Sequence, residues 1–172
     1  TNPAFARRQI VGVYSDHLVE LLARVLLALG AEHAMVVHSR DGLDEISVSA
    51  PTHVCEVCYG EVRSFEVTPE EIGMRRHALE SMAGGSTKDN ARIARSVLEG
   101  EEGPRADIVA ANAGAALYVS GAVPTIRDGV ALAQEAMRSG RAMQKLAELI
   151  SVSKELAERS PLPGERAPRS GG

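Results

Sequence analysis

A strand, a helix and a second strand follow one another near the start of the chain, and this pattern restricts the fold more than any other feature. Residues 8–14 are predicted to form a short buried strand, and a helix capped by Ser15 or Asp16 is predicted to end at Gly30. Residues 34–37 are apolar and partly β-branched, which predicts the second strand. Two strands joined by a helix lie parallel in one sheet, so the pattern predicts an α/β fold. The predicted helix buries an apolar stripe of Leu18, Leu21, Leu22, Val25, Leu26 and Leu29.

The rest of the chain predicts short antiparallel strands and then an increasing share of helix. Alternation with a period near two, punctuated by Pro51 and Gly60, predicts strands or a hairpin at 46–49, 53–57 and 62–67. Helix signals follow at 68–71, 86–98, 104–120 and 126–149, the last of these with a join at 139–140. We therefore expect a mixed sheet flanked by helices.

Composition argues against several kinds of partner. The 172 residues carry a formal net charge of −4 and no concentrated run of Lys and Arg, so nucleic-acid binding is not expected. No apolar run approaches the ~18–20 residues that a membrane-spanning helix needs.

Two cysteines do not make a disulfide framework, which favours a cytoplasmic protein. Residues 1–157 are predicted to form one domain, and the Pro- and Gly-rich residues 158–172 a disordered tail.

Three stretches of the sequence resemble one enzyme family. They are residues 1–14, which include TNPA and RRQIVGVY, residues 36–47, VVHSRDGLDEIS, and residues 112–119, NAGAALYV. They are similar to the latter half of anthranilate phosphoribosyltransferase, and the similarity runs from residue 1 to about residue 151. The resemblance implies that residues 1–157 are the C-terminal part of a nucleoside phosphorylase/phosphoribosyltransferase-type catalytic domain.

The resemblance also implies a reaction. In that family the amine of anthranilate displaces diphosphate from phosphoribosyl diphosphate, giving N-(5-phosphoribosyl)anthranilate for tryptophan biosynthesis. Mg²⁺ is the implied cofactor, because it suits the negative charge that builds on the departing diphosphate, and the complete enzyme is expected to be a homodimer. The family's glycine-rich diphosphate loop and its anthranilate-binding residues would lie upstream of Thr1. No catalytic residue is therefore assigned in this chain, which is expected to be inactive alone.

Asp44 and Glu45 are the candidate metal ligands. They follow Gly42 in a loop after the second predicted strand, and ligand sites of parallel sheets lie beyond the ends of such strands. Mg²⁺ commonly takes one or two carboxylates and completes its octahedron with waters and substrate phosphates. Two adjacent acids can serve one ion if the backbone turns between them. Composition alone predicts a solvated acidic turn here, and the match to the family favours the Mg²⁺ role.

Other polar residues have simpler interpretations. Asp41 is interpreted as a turn residue rather than an outer partner of the metal, and His38 as a hydrogen-bonded residue at a strand end. The glycine pair 84–85 could receive an anion at a helix start, but a cap formed by Ser86 or Thr87 is favoured. Family members usually have Asp where Ser86 stands.

The segment from Cys55 to Cys58 is a single CxxC motif with His53 two residues before it. A structural zinc site needs four ligands, usually from two such pairs, and the sequence contains no second pair. Positions 55 and 58 of a strand also face opposite sides of the sheet. Ordinary strand residues are therefore favoured over a metal or redox site.

Two other functions remain open on the sequence alone. One is a regulatory or scaffold module that kept the fold and lost catalysis. The other is a relative of the pyrimidine nucleoside phosphorylases, which resemble this family in architecture but usually continue into a further C-terminal α/β domain. Mg²⁺-dependent affinity for phosphoribosyl diphosphate would separate the enzyme from the scaffold.

Overall fold

A computed structural model of the protein describes residues 5–159. The elements of this part of the chain are a four-stranded sheet, five α-helices and one 3-10 turn. In chain order they are β1 (Arg8–Gly12), α1 (His17–Ala28), β2 (His33–Ser39), β3 (Thr52–Cys58), β4 (Glu61–Val67), the 3-10 turn Leu79–Met82, α2 (Thr87–Leu98), α3 (Pro104–Ser120), α4 (Ile126–Arg138) and α5 (Arg141–Arg159).

The sheet is mixed, as predicted. Its strand order is β1-β2-β3-β4. β1 pairs with β2 in parallel, with Ile10 opposite Met35, and the other two pairs are antiparallel. The strand-helix-strand unit of residues 8–39 is thus confirmed, because only a crossover such as α1 can join two parallel neighbours.

Helices cover both faces of the sheet. The alanine-rich α3 lies on one face, against Met35, Val37 and Val54, and α4 packs on α3. On the other face α1 packs against Val36 and Cys55. Because both faces of β2 are covered, its first five residues are all buried, which is typical of an interior strand.

Helices α3 and α4 meet at two glycines. A Cβ on Gly129 would lie 2.2 Å from the carbonyl oxygen of Gly114, and a Cβ on Gly114 would lie 2.5 Å from the backbone nitrogen of Val130. No real side chain fits at such distances, so the backbones touch directly. The small residues predicted in α3 therefore serve close helix packing.

Replacing Gly129 by alanine is expected to lower the free energy of unfolding by about 2–4 kcal/mol, because the added methyl must push α3 and α4 apart. Urea unfolding followed by circular dichroism measures this change. Gly140→Ala is the control, because a Cβ there meets nothing within 4 Å and the left-handed backbone alone costs about 1 kcal/mol. Equal losses in the two variants would contradict direct backbone contact between the helices.

The strand predicted at 46–49 is wrong. This segment is irregular because its backbone N–H groups donate hydrogen bonds to side-chain oxygens instead of to a neighbouring strand. The Ile46 N–H donates to Asn112 Oδ1 at 2.9 Å, the Ser47 N–H to Thr52 Oγ1 at 3.0 Å and the Ser49 N–H to Ser47 Oγ at 2.8 Å. The other two predicted strands, 53–57 and 62–67, are confirmed as parts of β3 and β4.

The helix start predicted at 68–71 is also wrong, although the capping contacts exist. The Thr68 Oγ1 donates to the Glu71 carboxylate at 2.9 Å and the Glu71 N–H points back to Thr68 Oγ1. The chain then makes a single turn, because Gly73 adopts a left-handed conformation with φ of 84° and the Met74 N–H bonds to the Pro69 carbonyl. A helix cap was present without a helix to follow it.

Helix α1 differs from the prediction in its cap. Asp16 occupies the N-cap position but makes no side-chain cap hydrogen bond. Its carboxylate instead accepts hydrogen bonds from His53 Nδ1 at 2.7 Å and from Arg40 at 3.0 Å, and His53 Nε2 lies 2.9 Å from the Ser64 hydroxyl. These long-range bonds fasten the start of α1 to β3 and β4.

The apolar stripe of α1 is only partly buried, which corrects the prediction. Leu21 and Leu29 are 55% and 78% exposed, whereas the fully buried residues of the helix are Val19 and Ala23. The leucines occupy two neighbouring stripes of the helix surface, and only the stripe that faces the sheet can be covered by it.

The C-terminal half is helical as predicted. Ser86 is the N-cap of α2, Pro104 opens α3, and the join at 139–140 separates α4 from α5. Since α5 continues to Arg159, the first two residues of the predicted disordered tail are helical. The remainder of that tail, 160–172, lies outside the described residues. Within residues 5–159, no helix combines the length and apolarity needed to cross a bilayer.

Candidate functional site

The acidic pair Asp44-Glu45 lies in the loop that joins β2 to β3. This loop leaves the carboxyl end of β2, next to the carboxyl end of its parallel neighbour β1. The end of β1 is in contact with this loop, since a Cβ on Gly12 would lie 1.6 Å from the carbonyl oxygen of Asp44. The predicted position of the pair beyond the ends of parallel strands is therefore present in the fold.

Asp41 connects the first half of the loop to the second. Its carboxylate accepts hydrogen bonds from the hydroxyls of Ser47, at 2.6 Å, and Ser49, and from the N–H of Leu43 at 3.3 Å. Burial alone would raise the pKa of Asp41, but these bonds and one from Ser39 hold the pKa below its ordinary value. Asp41 is thus a turn residue with its carboxylate committed inside the loop, as the sequence favoured.

Asn112 of α3 fixes the second half of the loop. Its side-chain amide accepts from the Ile46 N–H at 2.9 Å and donates to the Ile46 carbonyl at 2.9 Å, so it pairs with Ile46 as a neighbouring strand would. The same Nδ2 lies 3.5 Å from Glu45 Oε2 and 3.0 Å from the carbonyl of Ile108. Asn112 therefore connects the helix to the acidic pair, a role that the sequence analysis did not assign.

Replacing Asn112 by alanine is expected to accelerate hydrogen exchange of the Ile46 backbone amide at least about tenfold, because its acceptor is lost. Asn112→Asp keeps the acceptor oxygen and should preserve most of that protection. NMR-detected exchange measures both variants. Asn90→Ala serves as control, since Asn90 bonds to Gly85 far from this loop. Unchanged Ile46 exchange in the alanine variant would contradict the clamp.

Within residues 5–159, the carboxylates of Asp44 and Glu45 have no side-chain partner apart from the 3.5 Å hydrogen bond that Asn112 donates to Glu45. Both residues are exposed, and neither forms an ion pair with any residue in the range 5–159. Two adjacent negative charges on a loop held from both sides are the donor set that a hard divalent cation such as Mg²⁺ prefers, with open coordination positions left for water and phosphate oxygens. The residues present therefore fit the predicted ion.

A separate cleft lies away from the acidic pair. It has a volume of about 630 Å³ and sits between the start of α2 and the start of α3, with Arg92, Arg105 and the glycines 84–85 in its wall. The Gly85 N–H already donates to Asn90, and the Ser86 N–H to Asp89. Both of these backbone donors are thus used around the start of α2, and Ser86 is its N-cap, which confirms the cap interpretation of this segment.

The histidine and cysteines singled out in the sequence do not join the acidic pair. His38 Nδ1 is 2.8 Å from the Val13 carbonyl oxygen, so His38 is a hydrogen-bonded strand residue. Cys55 and Cys58 are both free thiols. They lie on opposite faces of β3, because Cys55 packs beneath α1 whereas Cys58 neighbours Glu56 on the other side.

The fold is an α/β domain with an exposed acidic loop beyond the carboxyl ends of two parallel strands, where ligand sites of α/β sheets lie. The family model described as "Glycosyl transferase family, a/b domain" matches residues 1–143, and the chain belongs to this family.

Similar proteins share one name. The chain is 51% identical over 160 residues to anthranilate phosphoribosyltransferase of Rubrobacter xylanophilus, covering 92% of this chain and 47% of that protein. It is 46% identical over 158 residues to the enzyme of the same name from Halorhodospira halophila, covering 92% and 46%. The chain thus spans about half the length of these relatives.

Solved structures agree with this likeness. Anthranilate phosphoribosyltransferase of Thermus thermophilus superposes with a TM-score of 0.75 at 40% identity, over 81% of this chain and 41% of that one. The Saccharomyces cerevisiae enzyme in complex with PRPP and Mg gives a TM-score of 0.76 at 28% identity, over 84% and 42%. The family resemblance and the fold predicted from the sequence are confirmed.

Proposed function

We propose that this chain is the magnesium-binding part of an enzyme that transfers the phosphoribosyl group of phosphoribosyl diphosphate to anthranilate, with Asp44 and Glu45 as the metal ligands. The observation that carries the proposal is the exposed acidic pair, which forms no ion pair with residues 5–159 and lies on a loop at the carboxyl ends of two parallel strands. The likeness to enzymes named for this reaction supports the choice of substrates.

The chemistry of the transfer explains why such a loop is useful. The anomeric carbon–oxygen bond breaks, the ribose gains positive character and the leaving diphosphate gains negative charge, so catalysis depends on positioning and on charge neutralisation. Bound Mg²⁺ would supply that neutralisation at the diphosphate oxygens. Asp44 and Glu45 would hold the ion. Asn112 would orient the Glu45 carboxylate, and the hydrogen bonds of Asp41 would keep the loop rigid when the ion binds.

The remaining parts of the site are proposed to come from outside these residues. Because the chain spans about half of its relatives, we propose that the diphosphate-binding loop and the anthranilate-binding residues belong to the other half, in the same polypeptide or as a companion chain. A homodimer of the complete enzyme is part of this proposal. No residue of this chain is proposed as a general acid or base.

The test is formation of N-(5-phosphoribosyl)anthranilate, followed by the change in anthranilate fluorescence. We expect turnover by the polypeptide that contains both halves, called the two-half polypeptide below. A chelator should abolish this turnover and Mg²⁺ should restore it. The 172-residue chain alone should give none. If the two-half polypeptide bound phosphoribosyl diphosphate with the same affinity with and without Mg²⁺ in a calorimetric titration, a scaffold role would replace the enzymatic one.

A further inference from the structure

A second group of potential metal ligands lies at the opposite end of the sheet from the acidic loop. It consists of His33 at the start of β2 and of Glu56 and Cys58 on β3. One imidazole nitrogen, one carboxylate oxygen and the Cys58 sulfur all lie within 4.8 Å of one another. His33 is the cross-strand partner of Cys58, and Glu56 shares the face of Cys58 because it is two residues away in the strand.

The surroundings of this group favour an ionised carboxylate inside the protein. Glu56 is 1% exposed and His33 is 7% exposed, whereas Cys58 is half-buried and reachable. The Tyr118 hydroxyl donates to Glu56 Oε1 at 2.7 Å and Arg63 donates to Oε2 at 2.8 Å. Burial alone would raise the pKa of Glu56, but the bonds from Tyr118 and His33 hold it below its ordinary value.

We propose that His33, Glu56 and Cys58 form a binding site for a borderline divalent cation of the Zn²⁺ type, with a water as fourth ligand. Nitrogen, oxygen and sulfur donors together suit zinc and exclude the oxygen-seeking Mg²⁺. Tyr118 and Arg63 provide the hydrogen bonds to the ligating carboxylate that usually orient such ligands. The ion would cross-link β2 to β3 and, through Tyr118, to α3.

The contact between His33 and Glu56 needs only a small adjustment to accept the ion. Bond lengths of about 2.0–2.3 Å in a tetrahedron place neighbouring ligand atoms about 3–4 Å apart. His33 Nε2 and Glu56 Oε1 are now 2.8 Å apart in a hydrogen bond, so this contact must open by less than about 1 Å. Before the ion can bind, Cys58 must release its thiol proton to solvent, and His33 must likewise give up the Nε2 proton that it donates to the Glu56 carboxylate.

The site is separate from the proposed magnesium loop. β2 has seven residues, and at about 3.3 Å per residue its two ends are about 20 Å apart. No side chain can contribute to both sites over that distance. The inference therefore does not rest on the proposed function, and either can fail alone.

The test uses Co²⁺ as a coloured stand-in for Zn²⁺, titrated into the reduced 172-residue chain. We expect one equivalent to produce visible d–d bands and a near-ultraviolet thiolate-to-cobalt band, both displaced by Zn²⁺ and unaffected by excess Mg²⁺. Cys58→Ser should abolish the thiolate band, and Tyr118→Phe should weaken binding at least about tenfold. Cys55→Ala is the matched control, because it removes the other thiol on the opposite face and should keep the bands.

Circular dichroism confirms that each variant is folded before its spectrum is compared. A stoichiometric thiolate band that Cys55→Ala retains and Cys58→Ser loses supports the site. Failure of the wild-type chain to show the band, or its equal persistence in folded Cys58→Ser, would mean that these side chains hold no metal and that His33 and Glu56 only share a hydrogen bond.

Discussion

Replacing Asp44 by Asn and Glu45 by Gln together is expected to lower kcat about 100-fold or more in the two-half polypeptide and to raise the Mg²⁺ concentration needed for half-maximal rate. Both substitutions keep the side-chain shape and remove the charge that attracts a divalent cation. The loss is large because neutralising the leaving diphosphate acts mainly in the transition state. Steady-state rates across a Mg²⁺ titration measure both effects.

The chain offers a matched control for this double variant. Glu101 and Glu102 are the other adjacent, exposed acidic pair without an ion pair in the described range 5–159, and they lie before α3. Glu101→Gln with Glu102→Gln changes the net charge by the same amount and should leave the Mg²⁺ dependence unchanged. If the two double variants behaved alike, the effect would come from overall charge, and the ligand assignment would be wrong.

Gly12→Ala is expected to produce the largest structural effect of a single methyl group in this chain. The new Cβ would sit 1.6 Å from the carbonyl oxygen of Asp44, and because that atom belongs to the backbone it cannot rotate away. Either β1 or the acidic loop must shift. We expect a loss of about 2–4 kcal/mol in the free energy of unfolding. We also expect the steady-state rate of the two-half polypeptide to depend less on the Mg²⁺ concentration.

Urea unfolding and the Mg²⁺ titration separate the two consequences of this substitution. Gly60→Ala is the control, because a Cβ at that hairpin position meets nothing within 4 Å and adds only the left-handed backbone cost of about 1 kcal/mol. A Gly12→Ala protein as stable as wild type would show that the strand end and the loop are not in contact.

The sequence predicted those parts of the fold that local pattern determines. The strand-helix-strand unit, the β3-β4 hairpin and the helix boundaries near Ser86 and Pro104 follow from hydrophobic period and capping chemistry. Residues 46–49 alternate like a strand, yet their N–H groups bond to Asn112 and Thr52. No local pattern reports such distant acceptors.

The candidate site was likewise only partly predictable from the sequence. Asp44 and Glu45 could be proposed as metal ligands from the sequence because the family motif that contains them is contiguous. Asn112 was missed because it is 66 residues from Ile46, and only its position as a helix asparagine hinted that the side chain bonds elsewhere. The contact of Gly12 with Asp44 could not be predicted, because a strand glycine has the same sequence signal whether it serves a turn or a close approach.

Binding of Mn²⁺, observed by electron paramagnetic resonance in the presence of phosphoribosyl diphosphate, tests the central claim most directly. Mn²⁺ prefers the same oxygen ligands as Mg²⁺ and loses its free-ion signal when bound. With the two-half polypeptide we expect one tightly held ion per chain, and at least about tenfold weaker binding after Asp44→Asn with Glu45→Gln. Equal Mn²⁺ affinity in the wild-type and double-variant proteins would contradict the assignment of this acidic pair as the metal site.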